Sequence, residues 1–346
     1  MEIILPIAHV QVNVIYLVIL GVVVGVLSGM LGIGGGIILN PVLINLNIPS
    51  VVVVGSSISQ IAGASLSGFL TYLKSKVVDT KMGLYIVVFG FVGGFTGVLL
   101  INFLKSLGYV KTFVLAIYVV YLLLLGTFIL VESIKNKNKS EPPKIPMFIQ
   151  KLPFKTQFKT GEISILLPAF AGFLSGFLAS VMGIGGGNLI TPALMYLGGY
   201  EVVSAVAISI FQMVFVASFL AFFHSYINHG VDIVLVLILI LGSSFGAVFG
   251  AIIAQRINKF YIKFLLAIIM LLVAFFSFYQ LVSSAKKEIF VVQPTNFFAK
   301  LLLEHPILYS SFVVVSALIL GFIVSIITLR LKNFIIERIR RRGVLR

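Results

Sequence analysis

The 346-residue sequence has no cysteine, no tryptophan and few charged residues, which make up 10% of the chain. Soluble domains carry about 25% charged residues, so this composition excludes an ordinary globular protein. The absence of cysteine excludes disulfides, thiolate metal sites and a cysteine relay for sulfur transfer. The first residues also lack a basic stretch and a small-residue cleavage site, so we expect no signal peptide.

The apolar segments contain no Asp, Glu, Lys or Arg near their centres. Ionisable residues inside a membrane are the usual mark of proton relays, so the sequence does not indicate a coupling ion. It also lacks a nucleophile with a positioned base, a metal-spaced histidine set and a glycine-rich loop followed by lysine. We therefore expect neither an enzyme nor a bound cofactor or metal.

Long apolar segments occupy most of the chain. About 20 apolar residues cross a hydrocarbon core of ~30 Å, so these segments predict an all-α polytopic protein of the cell membrane with lipids as its surroundings. The net charge of +15 comes from Lys and Arg between the segments, which favours cytoplasmic loops over nucleic-acid binding. The segments lie near 14–46, 50–73, 82–104, 112–131, 163–198, 202–224, 231–255, 261–283 and 307–329.

The chain consists of two copies of one repeat. Gly21–Leu46 aligns without gaps on Gly172–Leu197 with eleven of 26 residues identical, including GIGGG at 32–36 and 183–187. We predict a first membrane repeat at 1–133, a basic linker at 134–162, a second repeat at 163–284, and a final helix with a basic tail at 285–346.

Each GIGGG segment is predicted to enter the membrane, break and return. Four glycines in five residues cannot sustain a helix, and about 33 residues are too few for two crossings. We therefore expect two half-helices that meet near the middle of the membrane. With such re-entrant hairpins, twenty Lys and Arg fall inside and five outside, whereas full crossings give a nearly even split. Each repeat then has a hairpin and three spans, so the repeats are predicted to be inverted, with linker and C-terminus cytoplasmic.

The two breaks are candidate substrate sites, because half-helix N-termini present free N–H groups to anions. The alternative is close helix packing, which we favour for the glycines spaced four apart, such as Gly21, Gly25, Gly242 and Gly246. For the consecutive glycines we favour binding. These candidates are Gly34, Gly35 and Gly36 in the first repeat and Gly185, Gly186 and Gly187 in the second.

The helix that follows each break supplies polar side chains. Ser57 and Gln60 in the first repeat correspond to Ser209 and Gln212 in the second, and each pair is three residues apart on one helical face. Hydroxyls and carboxamides can donate to an oxyanion, although they also bond across membrane helices for structural reasons. Asn188, Asn40 and Thr191 are further candidates.

Asp79 and Asp232 lie at matching segment entrances, and His224 and His229 lie near the loop before Asp232. A proton or substrate gate is one interpretation of these residues. We favour helix caps for the aspartates and solvated-loop positions for the histidines.

These residues resemble the TauE/SafE family of sulfite and organosulfur exporters. The resemblance rests on G-x-x-S-G-x-x-G-I-G-G-G-x-x-x-x-P at Gly25–Pro41, on its copy at Gly176–Pro192, and on the later Val-Asp pairs. It implies transport of a small sulfur-containing anion such as sulfite or a sulfonate. The expected function is a secondary transporter with a central site; another small solute, or an anion channel, is the alternative. Transport direction and oligomeric state stay open.

Overall fold

A computed structural model describes residues 2–32, 34–73, 77–135, 145–283 and 288–341, with side chains described as far as Arg330. Ile33 of the first GIGGG, linker residues 136–144 and the last five residues lie outside the described residues. So do Lys74, Lys76, Lys286 and Lys287, which entered the charge count.

The first half begins with a β-hairpin, followed by a broken helix and three long helices. Gly, Pro and Asn punctuate these elements, and the apolar runs between them form the helices. In chain order the elements are β1 (Glu2–Ile4), β2 (Gln11–Asn13), α1 (Val14–Leu31), α2 (Gly36–Asn45), α3 (Ser50–Leu73), α4 (Thr80–Leu107) and α5 (Val110–Lys135).

The second half repeats this order after a short helix, and two more helices follow it. The elements are α6 (Met147–Gln150), β3 (Lys155–Phe158), β4 (Gly161–Ser164), α7 (Leu166–Met182), α8 (Gly187–Tyr196), α9 (Val202–Tyr226), α10 (Ile233–Ala254), α11 (Lys259–Ser283), α12 (Phe297–Glu304) and α13 (Pro306–Arg341).

Eight helices of the described chain are long and apolar enough to cross a membrane. This confirms the prediction of an all-α polytopic membrane protein. The ten-residue helices α2 and α8 rise only about 15 Å, which is half of the hydrocarbon thickness. The first arm of each broken helix is longer than the second, because α1 has 18 residues and α7 has 17.

The two halves pack against each other through matching helices. The glycine-rich α1 lies along α10, α7 lies along α4, and α3 and α5 face their counterparts α9 and α11. A Cβ at Gly25 would collide with the Ser243 carbonyl, and one at Gly246 would collide with the Val22 carbonyl. The spaced glycines therefore permit close backbone contact, which confirms their predicted packing role.

The second pair of glycine-rich helices packs in the same way. A Cβ at Gly176 on α7 would meet the carbonyl of Gly90 on α4, and one at Gly93 would meet the Phe173 carbonyl. The first helix of each half thus packs closely against a long helix of the other half, so the interface between the halves contains two equivalent glycine-rich contacts.

A β-hairpin before each broken helix binds an aspartate of the other half. The backbone N–H groups of Ile7 and Ala8, between β1 and β2, donate to Asp232 Oδ2 at 2.7 and 3.2 Å. Similarly, the Lys159 N–H, between β3 and β4, donates to Asp79 Oδ2 at 2.9 Å. The sequence analysis missed both hairpins, and β3 falls within the predicted linker at 134–162.

These hydrogen bonds also show where each broken helix begins and ends. The Asp232 N–H donates to Ser56 Oγ near the start of α3 at 2.9 Å, so α1 and α3 begin at the same end of the molecule. In the second half, Tyr200 precedes α9 and donates from its hydroxyl to Asp79 at 2.7 Å, beside the hairpin that precedes α7. Both broken helices therefore return to the end at which they entered.

The C-terminal helix α13 packs on α3, α9 and α10. Ser67 Oγ donates to the Gly321 carbonyl at 2.7 Å, and a Cβ at Gly321 would collide with the Gly63 carbonyl. This added helix, expected from the sequence, covers α3, the most deeply buried of the long helices.

Candidate functional site

Both GIGGG segments adopt a backbone that favours glycine. In the first break, Gly32, Gly34 and Gly35 have φ values of 67°, 78° and 77°. In the second break, Gly183, Gly185 and Gly186 have φ values of 71°, 72° and 75°. Side chains are strained in this left-handed region, so the chain can leave one helix and start the next within four residues only with glycine there.

The last glycine of each run is required for a different reason, which is the lack of space for a side chain. Gly36 and Gly187 lack a positive φ, but a Cβ on Gly36 would collide with the Gly183 carbonyl, and one on Gly187 would collide with the Gly32 carbonyl. Between these contacts, Gly34 lies against the Ile184 carbonyl. The two breaks therefore pass each other in opposite directions and touch along their backbones. We call this contact the crossing (residues 32, 34–36 and 183–187).

Helix α9 brings its two predicted polar residues to the crossing. Ser209 Oγ donates to the Gly32 carbonyl at 2.8 Å, and Gln212 Nε2 donates to the Gly185 carbonyl at 3.1 Å. One side chain therefore reaches each break. The predicted shared face of α9 is confirmed, while a substrate contact by either residue stays a prediction.

The matching residues of α3 have different partners. Gln60 Nε2 donates to Ser243 Oγ on α10 at 2.6 Å, and the Ser57 hydroxyl is buried without a hydrogen-bond partner in the described chain. The carbonyl of Gly183, which corresponds to that of Gly32, is bonded by Asn40 Nδ2 at 3.1 Å instead. The two halves thus share a backbone plan but not a hydrogen-bond pattern.

Other side chains from opposite halves satisfy the carbonyls at the helix ends. Tyr118 of α5 donates to Gly36 O or Met182 O, each 3.0 Å away, and Asn40 donates to Met182 O at 2.6 Å. Thr191 Oγ1 lies 3.5 Å from Gly32 O. Carbonyls freed by the breaks would otherwise be buried and unsatisfied at membrane depth, so these side chains stabilise the non-helical backbone.

Several buried polar atoms of α3, α8 and α9 have no partner within the described residues. Both amide atoms of Asn188 are in this condition, as are the side-chain oxygens of Gln60 and Gln212. All three side chains are at most 1% exposed. In addition, the starts of α2 and α8 have no side-chain cap. Buried donors and acceptors of this kind are costly unless a ligand or water binds them.

His224 differs from the prediction that it lies in a solvated loop. It is fully buried in α9, where its Nε2 lies 2.9 Å from Ser180 Oγ and its Nδ1 lies 3.0 Å from Asn228 Nδ2. The prediction failed because α9 continues to Tyr226, which places His224 inside the helix. In the first half Tyr72 takes the same place, with its hydroxyl donating to Gly29 O at 3.0 Å.

The aspartates are helix caps, as predicted. Asp79 accepts from the Met82 N–H at 3.2 Å, and Asp232 accepts from the Val234 and Leu235 N–H groups at 3.1 and 3.2 Å. Burial raises the pKa of the Asp232 carboxyl above its ordinary 3.8, although its backbone donors act in the opposite direction. Each aspartate also fixes the hairpin of the other half, a role that the sequence did not indicate.

Sequence reasoning missed Tyr118 and Ser175, which bond carbonyls at the breaks, and Ser243, which bonds Gln60. Ser175 Oγ donates to the Gly186 carbonyl at 3.0 Å. A usable signal was present for Ser243, because it directly follows Gly242 in the stripe that packs on α1. Tyr118 and Ser175 carry no comparable signal, since the sequence does not reveal which distant helix faces them.

The chain is similar to probable membrane transporter proteins from two organisms. A family model described as sulfite exporter TauE/SafE matches residues 17–277. A probable membrane transporter protein, YunE of Bacillus subtilis (strain 168), is 29% identical over 214 residues, covering 59% of this chain and 75% of that protein. A probable membrane transporter protein of Methanocaldococcus jannaschii is 31% identical over 204 residues, covering 56% of this chain and 66% of that protein.

No solved structure matches the chain significantly. The family model covers both breaks, all the long helices of the first half and most of those of the second. The chain belongs to the sulfite exporter TauE/SafE family.

Proposed function

We propose that the protein is a secondary membrane transporter that moves a small anion by alternating access around the crossing. The observation that carries this proposal is the meeting of two uncapped helix starts, α2 and α8, with buried polar atoms that lack partners. The similarity to two probable membrane transporter proteins supports transport as the general function.

An anion suits the crossing better than a cation. The N-termini of α2 and α8 both lie there, and each carries a partial positive charge and N–H groups that no intrahelical carbonyl accepts. The buried side chains are amides and hydroxyls, which can donate hydrogen bonds without bringing a charge into the membrane. Gly34–Gly36, Gly185–Gly187, Ser57, Gln60, Asn188, Ser209 and Gln212 are the residues we propose for binding.

Alternating access is supported by the way the halves are built. The first half begins at the Asp232 end and the second at the Asp79 end, and α3 with its 24 residues separates these ends. This arrangement supports two inverted repeats, a construction that allows one half to tilt against the other around a central site. Since basic residues favour the cytoplasm, we place the linker and the C-terminal tail on that side.

The sulfur-containing substrate is proposed from the family description alone. The two relatives are described only as probable membrane transporter proteins, so their names do not favour one solute over another. The alternatives are a different small solute and an anion channel. A channel would not need closure at both ends, and its flux would not be coupled to the gradient of another ion.

A binding and flux screen tests the proposal. The purified protein would be tested for thermal stabilisation by sulfite, thiosulfate, sulfonates, organic acids and neutral solutes of similar size. Anions that stabilise it would then be followed in proteoliposomes under imposed ion gradients. Saturable anion flux that depends on a gradient is expected. Stabilisation by neutral solutes alone would refute the anion site, and non-saturating flux would favour a channel.

A further inference from the structure

We propose that the crossing recognises an anion that also carries a hydrogen-bond donor, and that Asn188 selects for this donor. This inference rests on the proposed function and narrows the class of substrate. The solute would be a monoanion with a hydroxyl or another O–H or N–H group close to its charged end.

Asn188 is the main observation. It is the second residue of α8, it is fully buried, and neither its nitrogen nor its oxygen has a hydrogen-bond partner in the described chain. Packing does not require an amide here, because the matching residue of the first half is Ile37, which is also fully buried. A polar side chain in this place therefore calls for a ligand that both donates and accepts.

The amide of Gln212 adds an acceptor at the same end of α8. Its nitrogen donates to the Gly185 carbonyl, which can only accept, so the orientation of the amide is fixed by its partner. Gln212 Oε1 is consequently left as a buried oxygen without a donor. In contrast, Gln60 bonds to the Ser243 hydroxyl, which can donate or accept, so its amide can turn.

A bare oxyanion cannot satisfy this set of atoms. It offers only acceptors, so it could bind Asn188 Nδ2 but would leave Asn188 Oδ1 and Gln212 Oε1 without hydrogen atoms. A cation could bind the two oxygens, but both lie at the N-terminal end of α8, where the helix dipole disfavours positive charge. An anion that carries its own hydrogen-bond donor can donate to the amide oxygens, and its negative charge suits the N-terminal end of α8.

A pair of sulfonates that differ in one hydroxyl tests the inference. Ethanesulfonate and 2-hydroxyethanesulfonate have the same charge, and their affinities for the full-length purified protein can be measured by calorimetry. We expect the hydroxylated compound to bind about tenfold more tightly or better, because polar groups left unpaired in a buried site discriminate strongly. Equal affinities would overturn the inference while leaving the anion site intact.

Single substitutions test which side chain causes the preference for the hydroxylated sulfonate. Asn188→Ile introduces the residue found at the matching place in the first half, and Gln212→Met removes the second oxygen at similar volume. In Asn188→Ile the preference should fall to less than about threefold, and a thermal unfolding transition close to that of the native protein is the evidence that the variant folds. A partial loss is expected for Gln212→Met, and none for the control Ser310→Ala, a buried hydroxyl on α13.

The results separate the two proposals. If Asn188→Ile keeps the preference of the native protein, Asn188 is not the selecting residue and the inference fails. If neither sulfonate binds the native protein but a neutral solute does, the anion site itself is wrong, and the inference fails with it.

Discussion

The two halves of the molecule have the same backbone and different polar side chains. Each has a hairpin, a glycine break, a ten-residue helix and three long helices in the same order. Just after the break, however, the second half has Asn188 where the first has Ile37, and on the long helix that follows it has His224 where the first has Tyr72. The shared features are those that the backbone requires, whereas the differing side chains are free to specialise.

This comparison separates structure from chemistry. The glycines of both breaks are explained by positive φ values and by contacts between backbones, so they need no substrate to account for them. The unpartnered amides have no such structural explanation. The unpartnered side chains beside the glycine runs are therefore sharper candidates for binding than the glycines that the sequence indicated.

The largest expected effect is a loss of stability and transport when alanine replaces the last glycine of either break. The loss should be equal for the two breaks. In Gly36→Ala and Gly187→Ala, the new methyl would collide with a carbonyl of the other break. We expect destabilisation of about 3 kcal/mol or more and no transport, as measured by thermal unfolding and proteoliposome flux. Gly68→Ala is the matched control on α3, where the methyl would lie 3.5 Å from the Ile210 side chain. Normal stability of either crossing variant would contradict the observed contact.

The two glutamines provide a sharper contrast. Gln60→Leu and Gln212→Leu should both abolish transport and still insert into the membrane. Gln212→Leu should lose more stability, by about 1–3 kcal/mol, because it leaves the Gly185 carbonyl buried without a partner. Losing Gln60 frees only the Ser243 hydroxyl, which can turn to a carbonyl of its own helix. Transport at native rates in both variants would exclude a binding role for the pair.

The contact between Asp232 and the hairpin of the first half can be tested by varying the pH. Since burial raises the pKa of Asp232, its folded state favours the protonated carboxyl, and native stability should decline as pH rises above 3.8. Asp232→Asn removes this titration, so the stability difference between native protein and variant should shrink with rising pH. Thermal unfolding of both proteins across pH 4 to 8 measures this difference; a growing difference would show that ionised Asp232 stabilises the fold.

The smallest effect on activity is expected from labelling experiments, which test inversion. The cysteine-free chain accepts single cysteines at exposed positions without a competing thiol. Glu2→Cys and Asn45→Cys flank the first broken helix and should react from one side of the membrane, while Lys81→Cys and Glu162→Cys should react from the other. Labelling of Glu2→Cys and Asn45→Cys from opposite sides would show that the first broken helix crosses the membrane.

The sequence predicted the helices well, because their signals are local. Apolar length placed the membrane-spanning part of each long helix within a few residues, although α13 continues to Arg341, well beyond its predicted end at 329. Consecutive glycines placed both breaks. The β-hairpins were not predicted, because strands of three and four residues are too short to show an alternation of apolar and polar residues. Which atoms stay without partners at the crossing depends on contacts between residues far apart in the chain, such as Gln60 with Ser243. Local patterns do not contain that information.

The contact between the breaks has a consequence for biosynthesis. The carbonyl of Gly32 is bonded by Ser209, and among the described residues Asn40 donates to the carbonyls of Met182 and Gly183 in the second half. During translation the first half therefore enters the membrane before the second half has been made. Until then, the Gly32 carbonyl and the Asn40 amide are exposed to lipid or water. We expect the newly inserted first half to be a target for quality-control proteases until the second half arrives.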